Sequence, residues 1–328
     1  MIYPRIAAIL AKMKLFLSPA SKARRFFSNQ FLLAFTLAGV CWTGPMQAAT
    51  VNFSTEQGYS STKSVLNGQP AASPLWLASA SYSVTASSGS GVVVSDRGYS
   101  SSNLAAVYQA PVSASVGGSI GLSLDFQFAG VGSANSASAR YFATIDLAAS
   151  SSLTAATGAT DNAKLILFRN ANSSNYQIYF ATELNGFNAS SGFSLASIGD
   201  NGTVGDLTDN LRLSLTMTKG ASNTAWTVTA SLLNLDTSTT VATLNLTGMG
   251  TSSTFYNAAS IYGGLNSGSA YSGGSGIGTS SWSATQFTTV PEPSAVTSVL
   301  LGLGALGVLG MARKRVRPAM EAGKGHSA

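Results

Sequence analysis

Hydrophobic and polar residues alternate along two long stretches of this chain. Ser119–Phe128 places Ile120, Leu122, Leu124, Phe126 and Phe128 on one face, and Leu211–Lys219 does the same with Leu211, Leu213, Leu215 and Met217. A period of two sustained over this length is the pattern of a half-buried antiparallel strand, because successive side chains point to opposite sides of a sheet. Shorter runs predict further strands at Leu75–Val84, Gly91–Val94, Tyr141–Leu147, Lys164–Phe168, Tyr176–Thr182, Trp226–Leu235, Val241–Leu246, Ser260–Gly264 and Trp282–Thr289. Lys219–Thr224 reads as a hairpin loop, and Ser267–Ser281 as a low-complexity loop. No amphipathic helical period is evident between residues 50 and 290. About a dozen short strands separated by Ser, Gly, Asn and Thr predict an all-β antiparallel sandwich, residues 50–118 completing it.

Two apolar stretches break this pattern, one near each end. Phe31–Val40 is ten residues long, preceded by Lys12, Lys14, Lys22, Arg24 and Arg25 and followed by Met46-Gln47-Ala48-Ala49. That is too short to span a bilayer and has the form of a signal h-region, so residues 1–48 are expected to be a signal peptide cleaved after Ala48 or Ala49. Met13 offers an alternative start that gives a leader of more ordinary length. Cys41 follows Val40 where a lipobox needs a small residue, which argues against lipidation.

Near the other end, uncharged residues 295–312 are rich in Leu, Val, Ala and Gly. At ~1.5 Å per residue they form a helix of roughly 27 Å, enough for a bilayer core. Arg313, Lys314, Arg315 and Arg317 follow, and cationic residues stay on the cytoplasmic side, which places the residues before 290 outside. Pro291 and Pro293 disfavour helix in the residues before them, so Val290, Pro291 and Glu292 are expected to be extended.

The succession of Val290-Pro291-Glu292-Pro293, an apolar span and a basic end resembles the bacterial PEP-CTERM sorting signal. The resemblance covers about 290–317 and departs from the pattern in its tail, 318–328, expected to be cytoplasmic. It implies recognition by an exosortase-type membrane protease and a setting of exopolysaccharide production or biofilm. The strand order from Tyr141 to Thr289, with its Asn234–Thr237 turn, loosely resembles a concanavalin A-like or laminin-G-like jelly roll.

These two end segments change the meaning of the charge. The whole chain carries +6, but residues 49–289 hold seven basic residues against ten acids, a net of −3. The basic surplus belongs to targeting, and no Lys/Arg cluster interleaved with aromatics points to nucleic acid. The only cysteine and the only histidine, Cys41 and His326, lie in the end segments. The exported region, 49–289, is therefore expected to be stabilised by apolar burial without disulfides. Ser-His-Asp, Cys-His and thiolate or imidazole zinc sites are not available to it.

Three kinds of chemistry remain. Glycan-cleaving enzymes use a pair of carboxylates, but Glu56 and Glu183 are far apart, and Asp125 and Asp146 sit on separate strands as expected rim charges. Asp200, Asp206 and Asp209 form the densest oxygen cluster and are the candidate calcium ligands, although their spacing also suits an acidic turn. Trp76, Trp226, Trp282, Tyr176, Tyr179 and Tyr262 fit either a sugar-stacking platform or core positions, the latter being the commoner use of aromatic residues in strands. The expectation is a non-catalytic surface or matrix protein without a cofactor. A lectin-like carbohydrate-binding module is the alternative, and a glycan-cleaving enzyme the third reading.

Overall fold

The computed structural model describes residues 47–60, 65–72, 74–79, 82–84, 91–94, 106–129, 140–153, 161–170, 173–203, 205–266 and 280–290. Residues 1–46 of the expected signal segment, Pro291, Glu292, Pro293, the apolar span 295–312, the basic cluster Arg313, Lys314, Arg315 and Arg317, and the tail lie outside these residues. Among the described residues no helix is long and apolar enough to cross a membrane.

Alternation becomes two antiparallel sheets of eight strands each. In sheet A, β14 (Thr239–Met249), β13 (Trp226–Asn234), β12 (Leu211–Thr218), β6 (Ser119–Phe128), β16 (Ser280–Val290), β4 (Val92–Val94) and β3 (Tyr82–Val84) lie side by side. Strand β1 (Gln47–Val51) also pairs with β16. In sheet B the order is β10 (Asn188–Ala189), β9 (Asn175–Thr182), β8 (Asn162–Arg169), β7 (Arg140–Ala148), β15 (Tyr262–Asn266), β5 (Ala106–Tyr108) and β2 (Trp76–Ala78). Strand β11 (Phe193–Ser194) shares the edge of β9 with β10. The sheets face each other as an antiparallel sandwich of jelly-roll type, the fold class the pattern predicts.

Residues before Ser119 do complete this sandwich, but the expected strand Leu75–Val84 becomes two. Its first part, β2, joins sheet B and its second part, β3, joins sheet A. Strand β1 begins at Gln47, inside the segment expected to be cleaved, and its residues face Thr285–Thr289. Val290, the first residue of the sorting-like motif, is the last residue of β16 and pairs with Ser119. The hairpin expected at Lys219–Thr224 joins β12 to β13 in register, Thr218 facing Thr227.

The core lies between the inner faces. Ile120, Leu122, Leu124 and Phe126 pair across strands with Met217, Leu215, Leu213 and Leu211, and all eight are buried. Trp226 and Trp282 are fully buried on the same inner face. Sheet B contributes Ile145, Leu147, Leu165, Leu167, Ile178 and Phe180. Gly263 has no side chain for a steric reason: a Cβ there would collide with the Phe287 ring. The only α-helix among the described residues is one turn and a half, Ser253–Asn257, capped by Ser252 Oγ accepting from the Phe255 N–H at 3.0 Å.

Truncating a buried Phe or Leu to Ala removes transfer energy and leaves a cavity, a loss of ~2–5 kcal/mol. Phe126→Ala and Leu213→Ala are therefore expected to melt well below the parent, and Thr216→Ala, on the exposed face of β12, within a degree or two of it. Thermal denaturation followed by circular dichroism checks this. Equal melting of all four proteins would contradict the register.

Candidate functional site

The three aspartates of the acidic loop do not converge. Asp200 is buried, and its carboxylate accepts from the Tyr176 hydroxyl at 3.1 Å and from the Gly202 N–H at 2.9 Å. Burial raises its pKa most, with the neighbouring Asp206 adding to the rise. Asp206 accepts from the Asn201 N–H at 2.9 Å, while Asp209 accepts from Asn234 Nδ2 at 2.7 Å. Each carboxylate thus caps a different piece of backbone or side chain. No group of three potential metal-ligating residues occurs among the described residues. Asp200, Asp206 and Asp209 each fasten a different part of the loop, a common use of Asp in turns.

The strand carboxylates are likewise engaged, and neither is a free rim charge. Asp125 on the outer face of sheet A receives Arg212 in a bidentate pair at 2.5 and 2.6 Å. Asp146 points outward from sheet B and is fully buried, with Lys164 Nζ 3.8 Å away. That separation is an ion pair too long for a hydrogen bond, and neither Asp146 oxygen has a hydrogen-bond partner among the described residues. Burial therefore outweighs the attraction of Lys164 and pushes the Asp146 carboxyl up to about 7. Glu183 accepts from the Asp161 N–H at 3.3 Å.

The aromatic candidates divide cleanly. Trp76, Trp226, Trp282 and Tyr176 are buried in the core. Tyr176 also lies beneath the buried Arg169, whose guanidinium carbon is 5.8 Å from its ring centre. Tyr262 packs outside sheet B with Val107 and Leu153. Tyr179 does something different, because it belongs to a row.

Four aromatic rings cross the outer face of sheet B, one from each successive segment. Tyr141 on β7 meets Phe168 on β8 with ring centres 4.9 Å apart; Phe168 meets Tyr179 on β9 at 4.8 Å; Tyr179 meets Phe187, just before β10, at 5.7 Å. These steps are close to the ~4.8 Å separation of neighbouring strands, so the row follows from one outward aromatic per strand. A register shift between Tyr141 and Ala143 helps, letting Phe142 turn into the core while Tyr141 turns out. Phe168 is buried at the centre, Tyr141 and Tyr179 are partly exposed, and Phe187 is 66 % exposed. Burial, followed by the nearby Tyr179, raises the Tyr141 pKa.

Amides border the rings. Asn170 Nδ2 donates to Gln177 Oε1 at 3.2 Å and to the Tyr179 hydroxyl at 3.4 Å, and that hydroxyl donates to Gln177 Oε1 at 3.2 Å. Exposed ring faces beside fixed amides bury C–H-rich surface while meeting hydroxyl groups. Of the row, only Tyr179 stood out in the sequence. Tyr141 and Phe168 were visible as strand residues, but alignment of the three needs the register, and Phe187 is found by its large exposed surface.

No family model and no curated protein sequence matches this chain. Several solved structures are similar to it. Lectin I from Ulex europaeus, in complex with the methyl glycoside of α-L-fucose, is 14% identical, with a TM-score of 0.41 over 74% of this chain and 98% of that one. Arcelin-5, a lectin-like defence protein from Phaseolus vulgaris, is 11% identical, with a TM-score of 0.43 over 74% and 98%. An endo-1,3-β-glucanase from Streptomyces sioyaensis is 10% identical, with a TM-score of 0.38 over 76% and 99%.

Asp146 has a pH consequence. Its folded pKa lies above the unfolded value of about 3.9, so the folded state binds more protons between those values and stability falls as pH rises from about 4 through 7. Asp146→Asn removes the burden of the buried charge. The variant is expected to melt higher than the parent at pH 8, with the difference shrinking towards pH 4. Calorimetry across that range checks it; a variant that melts below the parent at pH 8 would show that the Lys164 pair dominates instead.

Proposed function

We propose that this is a non-catalytic carbohydrate-binding protein of the cell surface or extracellular matrix, exported by its N-terminal segment and sorted through its C-terminal one. The observation that carries the binding assignment is the aromatic row of Tyr141, Phe168, Tyr179 and Phe187, ending in an exposed ring and bordered by Asn170 and Gln177. Rings of this kind stack on sugar faces, and the amides meet the hydroxyl groups. The same rings also brace the sheet as cross-strand pairs. The 66 % exposure of Phe187 exceeds what bracing requires, and Leu184 in the same loop is 54 % exposed.

The non-catalytic reading is supported by the carboxylates. Asp125 and Asp146 stand on opposite outer faces of the sandwich, each beside its own cation. Glycoside hydrolysis needs two carboxyl groups within about 5–9.5 Å across one bond. The export and sorting assignment rests on the sequence: the basic leader and its h-region, then Val290, Pro291, Glu292 and Pro293, the span 295–312, and Arg313, Lys314, Arg315 and Arg317. An exosortase-type protease is the partner this implies, and the bound polymer belongs to the exopolysaccharide of the matrix.

Binding is tested by affinity electrophoresis in gels containing neutral polysaccharides. The parent is expected to be retarded, and Phe187→Ala and Tyr179→Ala each to weaken retardation by a few-fold to tenfold, the scale of one ring contact. Unretarded parent protein in every polymer would refute carbohydrate binding, and release of reducing ends would refute the non-catalytic assignment. Sorting is tested separately by intact-mass analysis of protein outside the cell, whose C-terminus is expected near 290–295. Extracellular protein still carrying Arg313–Ala328 would refute processing.

A further inference from the structure

The aromatic row does not end at Phe187, because the edge segment that carries this ring continues into a second feature. Strands β10 and β11 both pair with β9, and Ser190 still donates its N–H to the Ile178 carbonyl at 2.9 Å, but Ser191 and Gly192 lie between the two paired stretches. Ser190 is fixed by its own side chain, which accepts from the Ile178 N–H at 3.1 Å and donates to the Ser191 carbonyl at 2.9 Å. The bulged segment forms one wall of an open cleft whose other wall is Thr240–Thr243 of β14. The cleft measures roughly 210 Å³, several times the ~30 Å³ share of a water molecule.

One side chain ties the two features together. Gln177 lies directly opposite Phe168 in the ladder, on the outer face. Its Oε1 accepts from the Tyr179 hydroxyl at 3.2 Å, and its Nε2 donates to the Ser190 carbonyl at 3.0 Å. The position of the ring and the position of the cleft wall are thus set by the two ends of one amide. Phe187 and Ser190 are three residues apart on an extended edge, about 10 Å at ~3.3 Å per residue. That is longer than one sugar ring and within the reach of a short oligosaccharide.

We infer that the row and the cleft are one binding path for an extended, uncharged polysaccharide chain, stacked on Tyr179 and Phe187 and hydrogen-bonded by Ser191 and Thr243. This rests on the reading of the aromatic row as carbohydrate-binding and adds the length and charge of the ligand. The chemistry changes along the path as such a ligand requires: ring faces first, then hydroxyl groups and backbone. Among the described residues no charged side chain lines the cleft. An anionic chain would therefore gain no ion pair there to offset the loss of its hydration.

The test is calorimetric titration of the full chain in detergent with neutral β-glucan, xylan and galactomannan oligosaccharides of two to six sugars, and with oligogalacturonates of matched length. Affinity for the preferred neutral series is expected to rise at least about tenfold from the shortest to the longest. Thr243→Lys and Ser191→Lys, both at exposed positions, place a long charged side chain in the cleft without touching the row. Each is expected to flatten the dependence on length. Phe187→Ala is expected to weaken binding at all lengths. Length dependence unchanged in both lysine variants would overturn the path while leaving the aromatic site standing. Oligogalacturonates bound as tightly as the neutral series would overturn the charge assignment. Phe187→Ala with full affinity, or no binding of any series by the parent, would overturn the path and the aromatic site together.

Discussion

The last strand decides whether this sandwich exists. Strand β16 lies in the interior of sheet A, with β6 along one side and β4 and β1 sharing the other. Its partners lie far back in the sequence, so each contact closes a long loop before any burial rewards it. With no cysteine between residues 49 and 290, no disulfide shortens those loops. Sheet A therefore cannot be completed until residue 290 is available. Strand β16 is described up to Val290, and the next residue in the sequence is a proline, a residue type with no N–H for a ladder. The point where the fold closes and the point where the sorting-like motif begins are the same residue, Val290.

A core assembled in this way leaves the outer faces free to differ. Inner positions are filled by large apolar side chains from both sheets, and the strict period of two places every other residue outside. In sheet A these outer positions are mostly Ser and Thr, as in Ser119, Ser123, Ser214, Thr216, Thr227, Thr229 and Ser231. In sheet B they include Tyr141, Phe168 and Tyr179. Tyr176 and Tyr179, three residues apart on one strand, consequently have opposite fates: one beneath Arg169 in the core, the other in the exposed row. Rings on packed strands are held more rigidly than rings on loops.

How much of this was legible follows the same physics. Strands β6 and β12 declared themselves because eight or more alternating residues leave one consistent assignment. Strands β5, β10 and β11, of three and two residues, are too short for any period to show. Strand β1 was hidden because small residues near Ala48 serve equally well as a cleavage site and as an edge pairing with β16. The acidic loop was conspicuous by its density of oxygens, yet its meaning depended on Tyr176 and Asn234, 24 and 25 residues from the aspartates they meet. The aromatic row was concealed in a similar way. Three of the rings sit at ordinary strand positions and Phe187 just before β10, and only the pairing of the strands brings them together.

The treatment of charge connects the fold to the kind of partner it suits. Asp125 is held by Arg212, Asp146 sits by Lys164, Asp200 accepts from Tyr176, and Asp209 accepts from Asn234. Lys219 is occupied as well, donating to the Tyr256 carbonyl at 2.6 Å with its ammonium 4.4 Å from that ring centre. Charges in a sandwich this poor in them are thus used to fasten loops and strands to one another. The surface left over presents aromatic faces, amides and hydroxyl groups. Such contacts act only at short range and are not screened by salt, unlike exposed charge pairs. They supply no long-range steering and little affinity each, so a ligand must touch several at once, and an extended polymer lying along the surface does this where a single small solute cannot.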